Sequence, residues 1–368
     1  MNRKQAMRVW AIVAAVAVIV ALVAFGQLMP VARAQAETPT PEPPKPTALP
    51  PGEVRIEKIT SPALEGNLLG DPAERKVYVL LPPGYATSDT RYPVVYVMPY
   101  ASCEPTLHTA DFSTARQFLL SNGQIREMIL VVPDGTNTLG GSHFMSSVTI
   151  GDYETYVTRD VVNYVDSHYR TLPSGDSRGL VGCANGGDAA MRLALKHPEV
   201  FGVVAATDGP WDYSLEVWPS DVEGVTLLKA LPKDIKDLYL DELVGWYVQM
   251  AAAAAPDPNN PPFYCEMPFR IVNGHGEFVP EVVARIVDND CAHAARRYVQ
   301  QPVRLQGIRI QHGVHETKLT PSVHSFVQLL TDLGIEHEYV EVKSMGCGGQ
   351  WEQASLKYMS EHLVFEEQ

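Results

Sequence analysis

The sequence predicts an α/β protein built on a mostly parallel sheet, on three observations. The composition is that of an ordinary globular chain, short β-branched apolar runs alternate with helical segments after Gly52, and one strand runs through a glycine-bracketed turn straight into a helix. At 45% hydrophobic and 20% charged, the 368 residues exclude disorder, a collagen-like repeat and a disulfide-packed miniprotein as descriptions of the whole chain. Acidic residues outnumber basic ones by 43 to 29, a net charge of −14, so nucleic acid is not an expected partner.

The first 34 residues read as a targeting segment: a basic start, an unbroken apolar run from Val9 to Phe25, and Ala32-Arg33-Ala34 as a small-x-small cleavage site. Seventeen apolar residues are long for a signal core and near the minimum for a span, so cleaved signal and retained membrane anchor both stay open. With the positive charges ahead of the apolar run, either alternative places the bulk of the chain outside the cytoplasm, secreted or held at the outer face of the membrane. Loss of Arg3, Lys4, Arg8 and Arg33 with the segment would take the net charge from −14 to −18. Residues 35–53 form a proline-rich linker containing TPTPEPPKPTALPPG, an extended spacer that would hold a domain some 45 Å from an anchor at roughly 3.1 Å per residue.

Residues 54–368 are predicted to form one domain. Its strands are expected at Val77–Leu81, Val94–Met98, Met128–Val132, Gly179–Val181, Val203–Ala206, Ile308–Gln311 and Glu338–Val342. Between them, Val157, Val161, Tyr164, Val165 and His168 share one face at helical spacing, and Ala189–Lys196 and Val323–Leu333 are helix-like. The alternation breaks at about 212–300, read as a helical insertion that either covers a site or packs against the sheet edge.

The segment from Arg178 to Pro198, RGLVGCANGGDAAMRLALKHP, has the strand, tight turn and helix of a nucleophile elbow, G-x-S-x-G. Ala184 stands where the nucleophile belongs. A methyl group has neither a lone pair nor a proton to give up, so covalent catalysis is closed at that position.

The chain is similar to the putative esterases, the α/β-hydrolase family that includes esterase D and the enterochelin esterases. The resemblance rests on SPALEGNLLGDPAERKVYVLLPPGY from Ser61, RYPVVYVMPY from Arg91, VVPDGTNTLGGS from Val131, the elbow followed by MRLALKHPEVFG, and IRIQHGVHE from Ile308. It implies an α/β-hydrolase fold with helices on both faces and a carboxylic-ester hydrolase's nucleophile, acid and histidine in that chain order. By this resemblance Glu316 takes the acid position. In EYVEVKSMGCGG, Gly346 takes the histidine position, so nucleophile and base are both missing. The oxyanion loop departs as well, with Pro99-Tyr100 where the family has His-Gly. Pro99 lacks an N–H, which leaves the amides of Asn185 and Ala101 as the available donors.

Cys183 adjoins the nucleophile position, Cys347 the histidine position, and Cys103 follows the oxyanion strand. A relocated Cys183 nucleophile is conceivable, but a residue one place before the apex points elsewhere. In an exported protein the five cysteines can pair with one left over, and spacing does not decide between Cys183–Cys347 and Cys265–Cys291. A zinc site from Cys183, Cys347 and His312 or His315 lacks any compact C-x₂-C or H-x₃-H spacing, so neither metal nor other cofactor is expected. His312 and His315 read either as replacement bases or as ordinary loop residues. Tyr100, Cys183, Asp134, His143, Trp211 and Cys347 are the predicted pocket residues, with an ester- or acyl-bearing small molecule as the expected ligand. The functional expectation is an exported, catalytically degraded esterase acting as a binding module. The alternative is an active hydrolase with a relocated nucleophile or base and Glu316 as acid.

Overall fold

A computed structural model describes residues 52–100, 104–215, 221–240, 242–344, 346–348 and 350–367. The targeting segment, nearly all of the proline-rich linker, Ala101 and Cys103 lie outside the described residues. Among the described residues, no helix is long and apolar enough to cross a membrane.

The first four strands of the main sheet are β1 (Val54–Thr60), β2 (Glu74–Leu80), β3 (Val94–Met98) and β4 (Ile129–Pro133). After a small hairpin of β5 (Ser146–Ser147) and β6 (Gly151–Asp152) come β7 (Arg178–Cys183) and β8 (Val203–Thr207). A second hairpin, β9 (Phe269–Val272) with β10 (His275–Phe278), precedes β11 (Gly307–Gly313) and β12 (Glu338–Val342). The eight-stranded sheet has the order β1-β2-β4-β3-β7-β8-β11-β12, with β2 antiparallel to its neighbours β1 and β4 and every pair from β4 to β12 parallel.

Helices cover both faces, which is why β3, β4, β7 and β8 are buried at every position and mostly apolar. On β3, Val95 and Val97 join a cluster with Phe112, Leu119, Trp351 and Met359, supplied by α1 (Pro105–Ser121) and the C-terminal Trp351–His362 helix. Val94, Tyr96 and Met98 face the opposite, larger cluster. That side includes α2 (Val162–His168), entered through a π-helical turn at Tyr156–Val161, and α3 (Asn185–Lys196), which follows the elbow.

Between β8 and β11 lie α4 (Asp221–Ala230), α5 (Glu242–Ala254), the β9–β10 hairpin, α6 (Pro280–Val287) and α7 (Cys291–Tyr298). The insertion is thus not purely helical. Its Val248, Ala251, Val282 and Ala295 belong to the larger core cluster, so it is built into the domain rather than laid over it. Edge strand β1, with most side chains exposed, carries too little apolar patterning to have been predicted. The chain closes with α8 (Thr320–Asp332), β12 and α9, the Trp351–His362 helix.

Candidate functional site

Parallel strands deliver their C-terminal ends to one edge of the sheet, and the predicted site residues come together there. Register fixes this placement: Met98 pairs with Gly182, Cys183 with Thr207, Thr207 with Gln311, and Gly313 with Val342. The residues just past these pairs, Tyr100, Ala184, Asp208, Glu316 and Gly346, lie on adjoining turns.

Ala184 has φ 49° and ψ −125°, a conformation that side-chain-bearing residues rarely adopt. The turn holds because Ala184 N–H donates to the Thr207 carbonyl at 3.0 Å while its own carbonyl accepts from Asp188 N–H at 2.9 Å. Two glycines make it sterically possible. A Cβ on Gly182 would stand 2.1 Å from the Gly186 carbonyl oxygen, and one on Gly186 would stand 2.1 Å from that of Met98. This is the backbone of a nucleophile elbow, with a half-buried methyl group at its apex.

Cys183 and Cys347 form a disulfide with a Cα–Cα distance of 5.7 Å, tying the elbow to the loop that follows β12. The bond takes the buried Cys183 out of consideration as a nucleophile and removes both sulfurs from any zinc set. Cys265 and Cys291 are buried and unpaired, and Cys291 donates to the Asp188 carboxylate at 3.3 Å. Among the described residues, no group of three or more His, Cys, Asp or Glu is arranged to hold a metal ion.

Gly346 has φ +44°, and a Cβ built on it would, chain neighbours aside, meet one atom of the described residues within 4 Å, Glu316 Oε2 at 3.6 Å. The half-buried acid therefore stands against Gly346, where the resemblance puts an imidazole. Its loop is anchored from both sides: Glu316 N–H donates to the Gly313 carbonyl at 2.8 Å and His315 N–H to that of Ser344 at 3.1 Å.

His312 is neither a replacement base nor a loose loop residue. It ends β11, is 1% exposed, and places Nδ1 2.6 Å from Asp208 Oδ1 and Nε2 3.0 Å from Thr320 Oγ1. The Thr320 hydroxyl donates to the Glu316 carbonyl at 3.1 Å, so its oxygen must accept from Nε2–H. A further proton lies between Nδ1 and Asp208, which also accepts Gly313 N–H at 2.9 Å. With both ring nitrogens engaged, the imidazole cannot serve as a general base toward Ala184, and the cluster braces the acid loop instead. Asp208 was not among the predicted site residues, although the Thr207-Asp208-Gly209 turn at a parallel strand's C-terminal end was a signal for it.

Other predicted pocket residues are distributed differently. Trp211 is fully buried, packed on Phe326 with ring centroids 5.5 Å apart, and is a core residue rather than a pocket wall. The Asp134 carboxylate is occupied by Thr136, whose N–H and hydroxyl donate to it at 2.9 and 2.7 Å. His143 is 2% exposed, and burial, with the Arg192 charge nearby, lowers its pKa to about 3 and keeps it neutral. Its ring meets the edge of Trp246 from α5, whose indole N–H donates to Asn185 Oδ1 at 3.4 Å. Trp246 thus brings the insertion to the elbow, a contact that sequence spacing did not indicate. Tyr100 is half-buried, edge-on to His108 with centroids 4.4 Å apart.

Together, the sheet order, its crossover helices and the strained turn after β7 define an α/β-hydrolase-fold protein. A model of the putative esterase family matches residues 72–241 of the chain. It is 31% identical over 203 residues to Esterase Rv1288 of Mycobacterium tuberculosis, a match covering 50% of this chain and 44% of that protein. The chain thus aligns with rather less than half the length of that relative. Among solved structures, a ferulic acid esterase is similar with a TM-score of 0.55 at 15% identity, covering 85% of this chain and 99% of that one. S-formylglutathione hydrolase (FrmB) of Staphylococcus aureus is similar with a TM-score of 0.55 at 12% identity, covering 84% and 98%. At these identities the structural likeness is one of fold.

Proposed function

We propose that this protein is an exported member of the esterase family that no longer hydrolyses esters and acts by binding a small ester- or acyl-bearing ligand. The observation carrying this reading is a pair of absences on a retained elbow and acid loop: a methyl group at the elbow apex, and no side chain at Gly346 beside Glu316. No nucleophile stands at residue 184 and no imidazole at residue 346, and the buried His312 at this edge has both ring nitrogens engaged. Esterases stripped of a triad member retain on the order of 10³ to 10⁴ over water through the oxyanion hole and binding. With two members gone, turnover at or below that residue is expected. The ligand class is suggested by the family and by the ferulic acid esterase among its structural relatives. Export is supported by the basic and apolar N-terminal segment and by a disulfide of the kind that persists in oxidising compartments.

The test is hydrolysis of a short p-nitrophenyl ester by the purified protein, by Ala184→Ser, and by the Ala184→Ser/Gly346→His double variant. Background-level turnover by the unmodified protein and a gain only in the double variant are expected. Clear turnover by the unmodified protein that disappears in Glu316→Ala would overturn the reading.

A further inference from the structure

We infer that the space over Gly346 is a binding site for a compact nitrogen cation, an imidazolium, guanidinium or primary ammonium group on the ligand, with Glu316 as its counter-ion. This rests on reading Gly346 as the vacated histidine position, and it names the part of the ligand that the emptied site would select.

Four observations converge on it. A Cβ on Gly346 would, chain neighbours aside, have one contact among the described residues within 4 Å, a carboxylate oxygen of Glu316 at 3.6 Å. Among the described residues no donor lies within hydrogen-bond distance of that carboxylate, so its acceptor capacity is unspent. The acid is held in place before any ligand arrives, by the Thr320 hydroxyl on its carbonyl, by its own N–H on Gly313, and by the His315 amide on Ser344. On the other side the Cys183–Cys347 bond fixes the loop that carries Gly346. A preformed site loses less affinity to ordering on binding than a mobile one.

The surroundings narrow the class. Ala184, Cys347 and Tyr100, on turns at the same sheet edge, all pack against one apolar cluster, so the neighbouring turns carry apolar groups for the body of a ligand. A net charge of −14 disfavours an anion at the same place. N–H donors in a small planar or tetrahedral cation match what an unpaired carboxylate accepts, and an imidazole ring is the volume that the family frame accommodates there. No bond is made or broken: the step is ion pairing and desolvation.

Imidazolium chloride and methylguanidinium chloride are the probes, titrated into the full domain and followed by amide NMR shifts in the Gly313–Leu319 and Gly346–Gly348 segments. Saturable shifts are expected, at least tenfold weaker with neutral pyrazole, at least tenfold weaker in Glu316→Gln, and abolished in Gly346→His. Glu316→Ala and Gly346→Ala provide the same two comparisons should either of those variants fold poorly. Equal affinity in Glu316→Gln and the unmodified protein, or undiminished binding with the Gly346 space filled, would overturn the inference. The ester assay on the same samples separates the two readings. Turnover by the unmodified protein would sink the proposed function alone, whereas inert protein that binds no cation would sink only the present inference.

Discussion

Asp208 Oδ1 lies 2.6 Å from His312 Nδ1, with both side chains almost completely excluded from solvent at the end of two neighbouring strands. Removing one member leaves the other buried without compensation, which typically costs about 3–5 kcal/mol. His312→Ala is therefore expected to lose stability of that order in urea unfolding. Asp208→Asn, whose amide oxygen can still accept from Gly313, should lose about 1–2 kcal/mol. Hydrogen exchange in residues 313–319 should rise in His312→Ala, and unchanged exchange there would refute the bracing role.

The Cys183–Cys347 bond joins residues 164 apart in sequence. Closing a loop of that size restricts the unfolded chain by about 5 kcal/mol in the entropic account, usually an upper figure. Cys347→Ala, or reduction of the unmodified protein, should lower the unfolding midpoint in urea substantially and to a similar level. A midpoint insensitive to both would show that the elbow and the opposite loop are held by packing alone.

Two groups set the response to acid. His143 has its pKa lowered by burial from the unfolded 6.5 to about 3, so the unfolded chain binds its proton first. Stability from this group is complete above pH 6.5 and falls as the pH drops from 6.5 towards 3, by about 5 kcal/mol in all. His143→Asn, which tolerates the φ of 50° at this position, should flatten that limb.

Glu154 adds a second limb. Burial alone would raise its pKa, but hydrogen bonds and charge from His197 and Lys196 outweigh that and hold it at about 2. The stability it contributes is present above pH 4.5 and lost as the pH falls through 2, about 2–3 kcal/mol given its partial exposure. Glu154→Gln should remove that slope from acid titrations of unfolding, leaving the His143 limb unaltered.

Gly186→Ala would drive a Cβ to 2.1 Å from the Met98 carbonyl oxygen, a backbone atom with no room to yield. A loss of at least about 3 kcal/mol is expected, compared by thermal unfolding with Gly245→Ala, where the nearest atom is 3.7 Å away.

The sheet was legible because its central strands are short apolar runs punctuated by glycine and proline, and the elbow because two glycines bracket a turn before a helix. Edge strand β1 was not, since a strand that buries only Ile59 has little reason to alternate. Ala184 was named from the local G-x-S-x-G pattern, Glu316 and Gly346 only by resemblance to the esterases. Asp208, His312 and Thr320 could not be grouped, because their association is made by the register of β8 and β11 rather than by spacing along the chain. Trp211 misled for a related reason: an aromatic opening an insertion reads as a pocket wall, yet Gly209 allows its indole to fold back into the core.

An elbow in a working hydrolase holds its apex residue under backbone strain because the nucleophile must stand proud of the turn. In this protein the strain persists at Ala184 with no reacting atom to present. On the proposed reading, the apex serves as a joint through its shape rather than its side chain. Ala184→Gly would then relax the turn, and residue 184 would answer to stability alone.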